Sequence, residues 1–259
     1  LYLLALAYEN LGFYENAENF YFKLLKDKED NRIRFHLAHI FYRTKRYNRA
    51  EEEVDKILEK DKEYIDVLLL KAKIKERKGE LNEALYLLNR VLKKSKPETR
   101  IIMWFGELLE KLERYEEARK EYEKIIMVDS KNKEALYAYG RCSLKLKDEE
   151  NFRKTLEILK KQGFNKYADL LLAIDLTGKG KYKEAIELFK SCEKDFFLKE
   201  ELHFYFGVCY ALIGKYAKAI EAWSKVVKIS ENSPLAKKAK EYSALALKWL
   251  KMLEKEVRI

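Results

Sequence analysis

Proline occurs only twice, at Pro97 and Pro234, and glycine nine times in 259 residues. A chain this poor in the two residues that interrupt helices can be helical over most of its length. Cysteine is also scarce: Cys142, Cys192 and Cys209 are an odd set without the paired spacing of a zinc site. Each falls among apolar residues, which reads as three buried thiols rather than a Cys192–Cys209 disulfide and favours a reducing compartment. No apolar run reaches the roughly 18 residues of a membrane span; the longest uncharged stretch, His203 to Gly214, is too short. Glutamine occurs once, at Gln162, beside abundant Lys and Glu. Amides are labile and ion-pair networks gain value with temperature, so this bias points to a thermophilic source.

Catalytic signatures are missing too. There is no Gly-x-Ser-x-Gly elbow and no phosphate-binding glycine loop. His36 and His39 stand at i and i+3, but no further zinc ligands lie nearby in sequence, and His203 stands alone as a packed or rim residue. Carboxylates are plentiful, yet any helical surface offers pairs of them. Neither an enzyme, a metal nor a cofactor is implied.

What is present is a balance of 47% apolar and 38% charged residues, enough apolar surface to offset ordering entropy and exclude a disordered chain. The net charge of +10 would attract nucleic acid, anionic lipid or acidic partners. Both signs are interspersed along the chain, so most of it reads as a solvated lysine-rich surface.

The chain repeats itself. Ala17, Ala50, Ala84, Ala118, Phe152, Ala185 and Ala219 follow one another at 33, 34, 34, 34, 33 and 34 residues. Three residues before these stand Tyr14, Tyr47, Leu81, Tyr115, Tyr182 and Tyr216 in six of the seven units. Twelve residues before each lies a small residue: Ala5, Ala38, Ala72, Gly106, Gly140, Ala173 and Gly207. Five residues before lie Gly12, Gly79, Gly180 and Gly214, so seven of the nine glycines fall in two places of the repeat. Each unit therefore holds two helices, A and B. The first small residue lets helix A approach its partner, a left-handed glycine ends helix A, and the next small residue sits where helix B meets helix A. Leu37 and Phe41, like Val54 and Ile57, are spaced as one helix face.

With a small residue in helix A, an aromatic three residues later and then Gly-x-Tyr-x-x-Ala, the sequence resembles the tetratricopeptide repeat family. Phe206, Gly207, Tyr210, Gly214, Tyr216, Ala219 and Trp223 carry the match most closely. The resemblance implies an all-α fold, a right-handed α-α superhelical solenoid of helical hairpins. Seven units are expected at about 1–30, 31–64, 65–98, 99–132, 133–165, 166–199 and 200–233, with a capping helix over 234–259. Two departures stand out. The fifth unit has Phe152 for alanine and no turn glycine, so its hairpin is expected to splay or its helix B to be displaced, which would bend the superhelix, with Lys160 to Asn165 as a joint. The family's end-of-repeat proline survives only at Pro97 and Pro234. Ser233 caps a last helix whose Leu235, Tyr242, Leu245, Leu247 and Leu250 are expected to pack on the seventh unit, while Lys237, Lys238, Lys240 and Lys248 face water. The start, without Met and inside a helix pattern, is expected to be a truncated or processed one. Location therefore stays open: the thiols favour the cytoplasm, and a periplasmic or membrane-anchored protein remains an alternative.

By the resemblance, a partner would lie against helix A residues just off the packing face. These are Arg32, Phe35, His39, Tyr42 and Arg43 in the second unit, and Leu69, Lys73, Glu76 and Arg77 in the third. They are Arg100, Met103, Glu107 and Lys111 in the fourth, and Tyr137, Arg141 and Lys145 in the fifth. In the last two units the places hold Tyr167, Leu170, Ile174, Phe204, Val208 and Leu212. Such an apolar stretch is either a partner surface or is covered by a tight superhelix and the last helix. The groove then suits a protein or peptide with acidic residues at one end and apolar anchors at the other, and Tyr42, Arg43, Arg77, Arg141 and Phe204 would dominate its binding. Receptors for chaperone tails clamp a carboxylate with Lys and Asn; here those places hold Tyr2, Leu6, Phe35, His39, Leu69 and Lys73, so that ligand is not expected. Glu76, Glu107 and Glu110 interrupt the arginines and argue against nucleic acid. A third class is self-association or envelope assembly: the run Glu231 to Ala236 resembles junctions in bacterial periplasmic and outer-membrane helical-repeat proteins.

Overall fold

The computed structural model describes residues 1–94, 98–193 and 198–256. Pro97 and residues 257–259 of the last helical unit lie outside the described residues. The chain forms two compact units, Leu1–Tyr122 and Glu123–Ile259, and among the described residues there is no strand.

The first unit holds α1 (Tyr2–Asn10), α2 (Tyr14–Asp27), α3 (Asn31–Arg43), α4 (Tyr47–Lys60), α5 (Ile65–Lys78), α6 (Leu81–Lys94) and α7 (Thr99–Lys111), with α8 (Tyr115–Val128) crossing into the second. The second continues with α9 (Lys133–Lys145), α10 (Glu149–Lys161), α11 (Asn165–Gly178), α12 (Tyr182–Cys192), α13 (Lys199–Leu212), α14 (Tyr216–Ile229) and α15 (Pro234–Glu256). Within each unit helices pack on their sequence neighbours as hairpins. Helix α4 shows why: Ala50, Glu53, Val54 and Ile57 are buried, and their spacing puts them on one face. Core residues of the first unit include Tyr21, Leu37, Val54, Leu70 and Ile74; those of the second include Phe152, Leu171, Phe189 and Phe206.

Every A helix ends in the same turn. The four repeat glycines adopt φ of 76° to 84°, and Lys45, Glu113 and Lys147 hold the same place at φ 60°, 58° and 57°. The next N–H then closes the turn on a carbonyl five residues back, as in Arg46 to Phe41 at 2.8 Å and Glu80 to Lys75 at 2.9 Å. The fifth unit is no exception, because Asp148 N–H reaches Ser143 O at 2.9 Å. Its missing glycine therefore does not open the hairpin turn, contrary to the sequence expectation: a lysine bears the left-handed conformation instead. Phe152 is buried and lines a crevice of ≈ 360 Å³ with Leu144, Leu156 and Leu172.

The last helix also differs from expectation. Ser233 Oγ accepts the Ala236 N–H at 2.9 Å and caps it. However, the residues buried on α15 are Ala236, Ala239 and Ala246, while Leu245 is 54% and Leu247 44% exposed and Tyr242 is exposed too. Leu235 and Leu250 are half-buried. The small alanines seat the helix close on α14, and the large apolar side chains swing out to its flanks. All three cysteines are buried, and burial pushes the Cys192 and Cys209 thiols up.

Candidate protein-binding surfaces

In the first unit Arg43 ends α3, Arg77 is the next-to-last residue of α5 and Lys111 ends α7, the same place of the repeat. Cations are favoured there because each helix ends with unpaired carbonyls. Arg43 Nη1 donates to the Tyr14 hydroxyl at 2.9 Å, and Arg77 Nε donates to the Tyr42 hydroxyl at 3.4 Å. These hydroxyls hold both guanidinium groups more firmly protonated than usual. Each exposed arginine is thus oriented by a neutral group of the preceding hairpin. Lys111 instead pairs with Glu76, whose other oxygen accepts the Trp104 indole N–H at 2.8 Å.

The other expected residues of this unit fare differently. Arg32 is bound to its own N-cap, Asp30, at 3.0 Å, and Arg100 pairs with Glu98 at 3.3 Å. Phe35 meets His39 edge-on at 4.7 Å and stacks on Tyr64 at 6.2 Å, so both are half-buried. Burial lowers the His39 pKa, helped by nearby Lys73, His36 and Arg43 and opposed by Glu9. Lys73 is exposed. The structure therefore gives Arg43 and Arg77 each a hydroxyl partner, Tyr14 and Tyr42, and leaves Arg32 and Arg100 in local pairs.

One cluster went unread in the sequence. His36 lies between Tyr2, whose hydroxyl is 3.1 Å from Nε2, and Glu9, 3.0 Å from Nδ1; Tyr21 donates to the same carboxylate at 2.8 Å. Burial would raise the Glu9 carboxyl, but the His36 and Tyr21 hydrogen bonds hold it below its ordinary value. The 34-residue offset of Tyr2 and His36 was the available signal.

In the second unit, Tyr137 of α9 donates to Glu201 Oε2 of α13 at 2.9 Å, and Arg141 reaches the same oxygen at 3.3 Å. Both helices touch α11, and the Tyr137 ring meets Tyr167 edge-on at 5.8 Å. Burial, reinforced by Glu201, drives the Tyr137 hydroxyl well above its ordinary value. Tyr137, Tyr167, Leu170, Ile174 and Phe204 are all buried, Leu170 completely. These five are corrected from partner surface to interior: α9 and α13 meet over α11, and Tyr242 of α15 covers Phe204 at 5.8 Å. Arg141 is half-buried in its pair, and Lys145 is exposed.

Of the apolar candidates in the last two repeats, Val208 and Leu212 open onto a recess. A cleft of ≈ 370 Å³ lies between α13, α14 and α15, lined by Val208, Ala211, Leu212, Tyr216, Trp223, Tyr242, Leu245, Ala246 and Trp249. Among the described residues, no group of three or more His, Cys, Asp or Glu is placed to hold a metal, and no helix is long and apolar enough to cross a membrane.

The tetratricopeptide repeat model matches residues 2–65, 105–163 and 170–236. No curated protein sequence matches the chain. Among solved structures, a tetratricopeptide repeat protein from Parabacteroides merdae is similar with a TM-score of 0.79 at 16% identity, over 94% of this chain and 96% of that one. The C-terminal part of a repeat protein of the same kind from Cytophaga hutchinsonii gives 0.61 at 16% identity, over 92% and 99%. PilW, described as a widely conserved type IV pilus biogenesis factor, gives 0.53 at 19% identity, over 80% and 97%. At these identities the likeness is one of fold.

Proposed function

The chain belongs to the tetratricopeptide repeat family, and on that premise we propose that it is a non-catalytic scaffold whose first unit binds an acidic segment of a partner protein. The observation that carries this reading is the pairing of Arg43 with Tyr14 and of Arg77 with Tyr42. Two exposed guanidinium groups are hydrogen-bonded to neutral hydroxyls rather than to carboxylates, so their orientation is fixed while their charge stays available. A carboxylate docking there meets preorganised donors and gains charge-assisted bonds at little entropic cost. Exposed Lys73 adds charge of the same sign. Glu107 and the Lys111–Glu76 pair break the cationic surface, which favours a protein segment over the continuous polyanion of a nucleic acid.

Affinity capture from the source organism, followed by binding assays with purified partners, tests the reading. Arg43→Ala/Arg77→Ala is expected to weaken the main partner at least tenfold, and more steeply at low salt. A partner bound equally well by the double variant would remove these arginines from the site. A second reading, an envelope-associated assembly factor, draws on the junction run Glu231 to Ala236 and on the fold shared with PilW. Fractionation of source cells discriminates: recovery only in the cytosol would end it.

A further inference from the structure

We propose that the cleft between α13 and α15 docks an amphipathic helix of a partner protein, with an apolar ridge flanked by acidic residues. This takes from the proposed function only the premise that the chain binds proteins, and it uses a different surface.

Leu212, Tyr242, Leu245, Trp249 and Met252 are between 39% and 55% exposed, an unusual concentration of large apolar side chains in one place. Four of them follow one another on α15 at spacings of three, four and three residues. That spacing makes a straight stripe about 15 Å long on a helix, beside the alanine face seated on α14. Tyr242, Leu245 and Trp249 of the stripe form one wall of the ≈ 370 Å³ cleft, while Val208 and Leu212 of α13 form the other. Trp223 and Ala246 lie at its floor. Every lining residue is apolar or aromatic, so an occupant gains by desolvation and packing rather than by hydrogen bonds.

Shape and charge select the occupant. A recess with two helical walls accepts the ridge of a third helix, whose own anchors recur every three to four residues. A flat bilayer surface would touch the rims and leave the floor empty. On the stripe flank of α15, Lys238 lies four residues before Tyr242 and Lys248 three after Leu245; both are exposed, as is Lys215 beside Tyr216. Among the described side chains, Glu241 is the carboxylate on that flank. A second copy of this chain would set the same lysines against each other, whereas acidic flanks would complement them.

The test uses the full chain and a displayed library of helical peptides of about 25 residues. Selection is expected to yield apolar residues at i, i+3 or i+4 and i+7 with Asp or Glu beside them. By fluorescence anisotropy, Leu245→Asp/Trp249→Asp should weaken the selected peptide at least tenfold. Lys238→Glu/Lys248→Glu should weaken it several-fold, while Arg43→Ala/Arg77→Ala should leave it unchanged. All these positions are exposed, and circular dichroism confirms that each variant folds. A library without helical binders, binders with basic flanks, or indifference to Leu245→Asp/Trp249→Asp would overturn the proposal. Loss of binding in the arginine variant would move the site to the first unit, leaving the scaffold reading intact. A dimer in light scattering that Leu245→Asp/Trp249→Asp dissolves would make the occupant a second copy. Flotation with phosphatidylglycerol vesicles that the same variant abolishes would make it a membrane.

Discussion

The indole of Trp223 lies directly against the backbone of Gly207: a β-carbon placed on that glycine would stand 2.4 Å from Trp223 Nε1. The indole N–H donates to Phe204 O at 3.0 Å, so the ring cannot slide away without losing a buried hydrogen bond. Gly106 and Tyr122 repeat the arrangement at 2.5 Å. In these two hairpins the glycine of helix A thus makes room for a bulky aromatic of helix B, whereas Gly140 faces Leu171 and Thr155. Replacing Gly207 by Ala overpacks this contact and should destabilise the second unit by about 1–3 kcal/mol. Gly178, with no atom within 4 Å of such a carbon, is the control. Gly178→Ala should be neutral or stabilising by up to about 1 kcal/mol. Urea denaturation of the two variants measures the contrast.

The left-handed turns yield a second prediction. Lys45, Glu113 and Lys147 hold a conformation that side chains resist, at φ of 57° to 60°. The left-handed region costs a residue with a β-carbon roughly 1–2 kcal/mol, and part of that returns as backbone entropy when glycine replaces it. Lys45→Gly, Glu113→Gly and Lys147→Gly should each therefore stabilise by about 0.5–1 kcal/mol. Thermal unfolding reads the gain, and a loss at all three would show that their side chains matter more than the turn.

These turns mark how far the sequence could be read. Gly12, Gly79, Gly180 and Gly214 announce the turn chemically, and the alanine phasing locates the helices around it. Lys147 carries no such signal, because its conformation is imposed by the hairpin on either side. Spacing along a helix also identifies a face without saying what lies opposite. Leu170 was legible as apolar and off the packing face; that α9 and α13 close over it depends on Glu201 meeting Tyr137, 64 positions away. On α15 the large side chains drew attention, whereas close approach selected the alanines.

Glu201 supports a third prediction. It accepts from Tyr137 and Arg141 at once, joining α9 to α13. Tyr137→Phe and Glu201→Gln should each cost about 1–3 kcal/mol, since each leaves a buried polar group short of a partner. The double variant should cost less than the two together, with a coupling of at least about 0.5 kcal/mol. Strict additivity in denaturant titrations would mean that the pair does not act as a unit.

A fourth prediction concerns pH and the first unit. His39 is half-buried among Phe35, Lys73, His36 and Arg43, and burial lowers its folded pKa below the ordinary 6.5. As pH falls through about 6.5, the unfolded chain takes up this proton before the folded one does, so stability declines with falling pH. The loss begins near the ordinary histidine value and is complete below the folded one; above it, His39 contributes no pH dependence. Glu9 partly offsets the shift, so removing its charge should deepen it. Unfolding free energy measured from pH 8 to 5 should fall in the parent chain and fall less in His39→Gln. Glu9→Gln should show a steeper decline over the same window. An identical slope in the parent and His39→Gln would mean that His39 titrates alike in the folded and unfolded chains.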